Sequence, residues 1–178
     1  MKRDLTKVID KLKSDKRVER LFTMFDELPV YKLPIKQLKA EIETIHSVRA
    51  SRFLNQHDPK FLEKIIDASI DDSSKRSRLV EISLQCFKSG NSMSEALEKM
   101  RRYLLMTYSD DIYFARTKDE RLHIVDTVLE PLFRFVAQTQ AISKMADMVI
   151  SDIDKTGYSL KLNVEAYKIH FGRKEQML

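Results

Sequence analysis

The residue types that carry out catalysis are present in this chain, but not at the spacings that catalysis needs. Its four histidines, His46, His57, His123 and His170, are scattered, with no partner four residues away and no acid at metalloprotease spacing. The carboxylates at Asp71-Asp72, Asp110-Asp111 and Asp152/Asp154 could act as paired acids or hold a divalent ion. The first two pairs fall where helices are expected to stop, where capping explains them as well. The single cysteine, Cys86, can form no disulfide within the chain and no paired metal site, and it lies on the apolar side of its helix as a structural thiol. Only three glycines, Gly90, Gly157 and Gly172, occur, and they are far apart, which excludes phosphate-cradling loops, dinucleotide fingerprints and nucleophile elbows. The expectation is a non-enzymatic protein with no catalytic residue, no metal and no cofactor.

The cations are more informative. The net charge is +5, and residues 1–39 carry 11 Lys/Arg against 6 Asp/Glu, whereas the remaining residues are balanced at 21 against 21. Such a basic arm attracts a polyanion. Lys2, Arg3, Lys7, Lys11, Arg17 and Arg20 are its candidate phosphate contacts, with Arg49, Arg52, Arg101 and Arg102 added from later basic clusters. Phe53 beside Arg52, and Tyr103 beside Arg102, supply rings on which bases could stack, the composition of a single-strand groove. Ordinary solvated helix faces would use the same residue types.

The elements that must position these residues are helical. Apolar residues recur at threes and fours nearly everywhere, and no stretch alternates strictly, so the sequence predicts an all-α multi-helix bundle. Consecutive regions are expected at 1–33 (basic helical arm), 34–116 (helical bundle) and 117–178 (long C-terminal helices), within one domain overall. Pro29 and Pro34 bracket a linker, and the helix after Pro34 is expected to end near His57, before an Asp58-Pro59 start. Asp71-Asp72-Ser73-Ser74 reads as a polar break. Gly90 reads as a helix terminator, and Ser92 with Glu95 as the capping box of a new helix over about 93–109. Together these make a helical hairpin over 78–105. A second capping box, Thr117 with Glu120, predicts a helix over about 118–130, and Pro131 then kinks the chain or starts another.

Ile142, Ala146, Val149, Ile153, Gly157, Leu160, Val164, Tyr167 and Phe171 stay in phase and predict one helix over about 132–171. A hairpin turning at Gly157 is the alternative. A single helix of that length asks for a long neighbour or further copies of itself, so Ile142, Val149, Ile153, Gly157, Leu160, Val164, Tyr167 and Phe171 are candidate oligomerisation positions. No apolar run is long enough to cross a membrane, and no export signal is seen, so a cytoplasmic location in a cell or phage-infected host is expected.

The segment Met148 to Lys168 followed by Gly172, with Ile153, Gly157, Tyr158, Leu160, Lys161, Val164, Glu165 and Lys168 at the matching places, resembles the C-terminal end of UvsY-type recombination mediators of T-even-like phages. Lys99 to Ser109 is more faintly similar to that family's basic helix. The resemblance covers about 75 residues and leaves 1–90 without a counterpart. It implies a ring-forming protein that binds single-stranded DNA, with a recombinase or a single-strand-binding protein as partner. A competing likeness, over Lys88–Lys99, is to helical cytoplasmic domains of secretion and pilus platform proteins. It keeps open a second expectation, an all-helical interaction adaptor or assembly scaffold with no nucleic-acid role.

Overall fold

The computed structural model describes residues 5–50, 60–113, 115 and 117–175, with side chains as far as 169. Every regular element among them is helical. In chain order these are α1 (Leu5–Lys13), α2 (Lys16–Glu27), a single 3-10 turn (Pro29–Tyr31), α3 (Ile35–Ala50), α4 (Phe61–Thr107), α5 (Ser109–Ile112), α6 (Lys118–Val128) and α7 (Glu130–Glu175). The described chain forms two units, each assembled from non-consecutive stretches rather than consecutive regions. One comprises residues 1–35 with 85–141, the other residues 36–84 with 142–178. Both α4 and α7 contribute a segment to each unit.

In the first unit, α1 turns its Val8–Leu12 edge inward. The Asp15 side chain then caps α2 by accepting the backbone N–H of Arg17 at 2.7 Å. Val18 joins Leu12 in a core with Met93, Leu97 and Leu104 of α4, and with Ile124, Val125 and Val128 of α6. Burial of each large apolar side chain contributes about 1.5–3 kcal/mol. The Thr117/Glu120 capping box forms as expected. The Thr117 hydroxyl accepts the Glu120 N–H at 3.1 Å, and the Glu120 carboxylate accepts the Thr117 N–H at 3.2 Å. Pro131 starts α7 rather than kinking it, because the first turn of a helix has no use for the N–H that proline lacks.

In the second unit, α3 buries Leu38, Ile42 and Ile45, α4 buries Phe61, Ile65, Leu79 and Ile82, and α7 buries Ile142, Ala146, Val149 and Ile153. Arg49 links the three helices. Its Nε donates to Asp72 at 3.1 Å and its Nη1 to Asp152 at 2.7 Å. Burial alone would disfavour its charge, but these hydrogen bonds reverse that and hold the guanidinium more firmly protonated than usual.

Several expectations are corrected. The hairpin over 78–105 does not exist, since α4 runs unbroken through Asp71–Ser74, Gly90 and Ser92. The apparent polar break is a difference between faces: Asp72 is buried on the inner side, beside Arg49, and Ser73 is exposed. Gly90 has no left-handed backbone. It is there for closeness, because a Cβ at this position would sit 2.7 Å from the Thr139 Oγ1 of α7. Ser92 caps nothing, since in an unbroken helix the N–H groups after it are already bonded to the preceding turn. Its hydroxyl meets that of Tyr31 at 3.3 Å instead. Described α3 ends at Ala50, and His57, Asp58 and Pro59 lie outside the described residues.

Gly157 lies inside α7, so the alternative turn there is not taken. A Cβ at Gly157 would meet nothing within 4 Å. Ile142, Val149 and Ile153 are covered by their own chain, so these three offer no apolar surface to another copy. Leu160, Val164 and Tyr167 are half-buried, with the Tyr167 ring 6.1 Å from that of Phe61, and Gly157 is exposed. The side chain of Phe171 lies outside the described set.

Candidate nucleic-acid interface

The basic residues differ in what they are bonded to. In the second unit, Arg49 is buried in its pair of carboxylates and cannot reach a phosphate. The cluster Lys75-Arg76-Ser77-Arg78 is engaged throughout. Lys75 meets Asp71 at 2.8 Å, Arg76 meets Asp154 at 2.7 Å, and Arg78 meets Glu41 at 2.7 Å and Glu81 at 3.1 Å. Hydrogen bonds from these arginines hold the Glu41 and Asp154 carboxyls below their usual range. In the first unit Arg101 is half-buried. It bonds Asp126 at 2.8 Å and Glu98 at 2.8 Å, and its guanidinium lies 5.2 Å from the Phe133 ring. Arg49 and Arg101 therefore work within the fold, in place of the phosphate contacts expected of them. Lys2, Arg3, Arg52 and Phe53 lie outside the described residues.

On α1 and α2 the arrangement is different. Lys7, Arg17 and Arg20 are exposed, as are Lys13 and Lys16, and among the described residues none of them has a carboxylate within ion-pair distance. Lys11 is exposed too, and its Nζ reaches Asp111 of α5 at 2.7 Å. Arg102 and Tyr103 of α4 are exposed.

The same unit has a groove of about 380 Å³, lined by Leu105, Ser109, Ile112, Tyr113, Lys118, Arg121 and Leu122. Three short-range causes build it. Thr117 starts α6 so that Lys118 and Arg121 fall in its first turn. Arg121 donates its Nε to the Ala115 carbonyl at 3.0 Å, which fixes the guanidinium at the groove's edge. Tyr113, 78% exposed, presents its ring 5.9 Å from that guanidinium. An open ring, a fixed guanidinium and a lysine around an apolar floor can stack a base and neutralise its phosphate. The spacing from Tyr113 to Lys118 and Arg121 spans a turn between helices, so helical periodicity does not bring them together. The Thr117 capping box was the one available signal, since it fixes where α6 begins.

Chemistry of other kinds has less support. Among the described residues no group of three or more His, Cys, Asp and Glu side chains is placed to hold a metal ion, and no helix is long and apolar enough to cross a membrane. Cys86 is buried, which pushes its thiol above the usual range and away from the reactive thiolate. No known protein family, curated protein or solved structure matches this chain.

Proposed function

We propose that this chain is a non-catalytic, oligomeric accessory protein that binds single-stranded nucleic acid, DNA above all, as a recombination or replication mediator does. The observation that carries the reading is the concentration of exposed cations on two short helices: among the described residues Lys7, Lys13, Lys16, Arg17 and Arg20 of α1 and α2 make no ion pair, whereas the arginines named in α3 and α4 inside the second unit are neutralised by their own chain. The Tyr113–Lys118–Arg121 groove adds a stacking platform in the same unit as these free cations. The likeness of Met148–Gly172 to UvsY-type mediators points the same way and supplies the partner class, a recombinase or a single-strand-binding protein.

Fluorescence anisotropy with a labelled oligonucleotide tests the reading. Binding is expected at micromolar protein and about 50 mM salt, and it should be lost in a Lys7→Glu, Arg17→Glu, Arg20→Glu variant. No binding by the wild type, or equal binding by the variant, overturns it.

The second reading, a helical adaptor for other proteins, draws on exposed apolar residues of the first unit such as Met106, which is 79% exposed. It predicts indifference to oligonucleotide and a protein partner that survives nuclease treatment.

A further inference from the structure

Within the second unit, α4 has two apolar faces. The inner one carries Phe61, Ile65, Ala68, Leu79 and Ile82 and is buried. On the opposite side Leu62, Ile66, Ile70 and Leu84 are open to solvent, Ile66 at 59%, Ile70 at 65% and Leu84 at 52%. An amphipathic helix packed against a core needs only one such stripe, and a second one is an unmet demand for cover.

The outer stripe has a symmetry of its own. Positions 62, 66, 69, 73, 77, 80 and 84 advance by fours and threes, the spacing of a helix–helix seam, and they are occupied by Leu, Ile, Ser, Ser, Ser, Val and Leu. Read outward from Ser73 in either direction, the order is serine, then β-branched apolar, then leucine. Two such helices laid antiparallel about Ser73 would set Leu62 against Leu84, Ile66 against Val80, and Ser69 against Ser77. Large residues would meet at both ends, and small ones at the centre would let the backbones approach. A pattern symmetric about its own midpoint sets like against like in an antiparallel pair, which makes the face complementary to itself, as a two-fold contact between identical chains needs.

We infer that this outer face of α4 is the interface with a second copy of the chain, paired antiparallel about Ser73. The seam contains no charge. Glu63, Asp67 and Glu81 sit at its margin, where water and salt screen them.

The area is that of a weak, concentration-dependent contact. A segment of this length is about 35 Å long and about 10 Å wide, which gives about 350 Å² per copy from α4 alone. The Arg76–Asp154 ion pair ties the neighbouring helix to this side of α4, and one turn beyond Asp154 the α7 residue Tyr158 is 67% exposed, with Leu162 exposed after it. Tyr158 and Leu162 add to the area of α4, which stays below the ~800 Å² per partner of a standard interface and in the range of a weak, reversible contact.

The inference is independent of nucleic-acid binding, because the particle's mass is read without any oligonucleotide. Light scattering on the full chain at about 100 µM should give at least twice the 20.9 kDa chain mass, and the Ile66→Asp, Leu84→Asp variant should fall to the single-chain mass with its helical circular dichroism unchanged. Ser73→Cys, which disturbs the fold little, should give a covalent dimer on mild oxidation, whereas Lys99→Cys should not. A wild type that stays at the single-chain mass, a double variant that keeps the larger mass, or a Ser73→Cys protein that stays uncrosslinked each overturns it.

Discussion

Replacing Gly90 with alanine separates two effects of opposite sign. In the interior of an exposed helix the change stabilises by about 1 kcal/mol, because alanine loses less backbone freedom on folding. Here the new methyl would lie 2.7 Å from the Thr139 Oγ1. Thr139 cannot readily move, since it is fully buried and its hydroxyl donates to the Val136 carbonyl at 2.9 Å. Overpacking of this kind costs about 1–3 kcal/mol, so Gly90→Ala is expected to destabilise by about 1 kcal/mol net. Thr139→Ala alone leaves a small void and should cost about 1 kcal/mol. In the double variant the Thr139 Oγ1 is gone and the nearest remaining atom, the Cβ at position 139, lies at an ordinary 3.6 Å. The methyl added at position 90 then fills the void and the helix recovers the gain that alanine brings, which makes the two changes non-additive by about 3 kcal/mol. Urea denaturation of the four proteins, followed by circular dichroism, measures this coupling. Additive effects would refute the close approach of α4 and α7. A Gly90→Ala loss that Thr139→Ala leaves untouched would return Gly90 to the role of a helix terminator.

Further expectations follow from single side chains. The Tyr108 hydroxyl is buried beside the Asp15 carboxylate without a sound hydrogen bond to it, and burial first, then that carboxylate, push it up to about 12. The folded state thus holds this proton more tightly than the unfolded chain, so its contribution is complete below pH 10 and is lost as pH rises through about 12, at up to about 1.4 kcal/mol per pH unit. Tyr108→Phe should remove that alkaline slope and be neutral or stabilising by about 1 kcal/mol at pH 7, read from denaturation midpoints at neutral and alkaline pH. Arg49→Met should cost about 3 kcal/mol, because it takes the guanidinium from buried Asp72. Asp152→Asn should cost under about 1 kcal/mol, its carboxylate being 55% exposed, and thermal melts of the two variants compare them. Tyr113→Ala should weaken oligonucleotide binding by about fivefold or more with the salt slope unchanged, whereas Lys118→Ala should lower the slope by about 0.7. Anisotropy titrations at several salt concentrations separate the two effects.

What the sequence reveals depends on whether a signal is local. The Thr117/Glu120 box and the unbroken phase of α7 are settled within a few turns of chain, and both are legible. Ser92 and Glu95 have the same spacing as Thr117 and Glu120, yet form no cap, because the helix before them never ends. Only the position of Tyr31, sixty-one residues away, explains where the Ser92 hydroxyl goes. Gly90 is ambiguous for a related reason, since a terminator and a close-packing glycine look alike until Thr139 is placed opposite. Among the cations, Lys7, Arg17 and Arg20 could be read as exposed from the charge excess of the arm. Arg49 and Arg101 could not be read as drawn into the fold, because Asp72, Asp152 and Asp126 lie 23 to 103 residues away along the chain and only Glu98, beside Arg101, is local. Their apparent kinship with the arm was one of composition and not of surface.

The most direct test of the central claim, that cations of α1 and α2 left free by the fold grip a polyanion, is the salt dependence of single-stranded oligonucleotide binding. A straight fall of log affinity against log salt with a slope of about −2 to −4 is expected, reduced by about 0.7 for each of Lys7, Arg17 and Arg20 replaced by alanine. A wild-type slope near zero, or one that the three replacements leave unchanged, would contradict it.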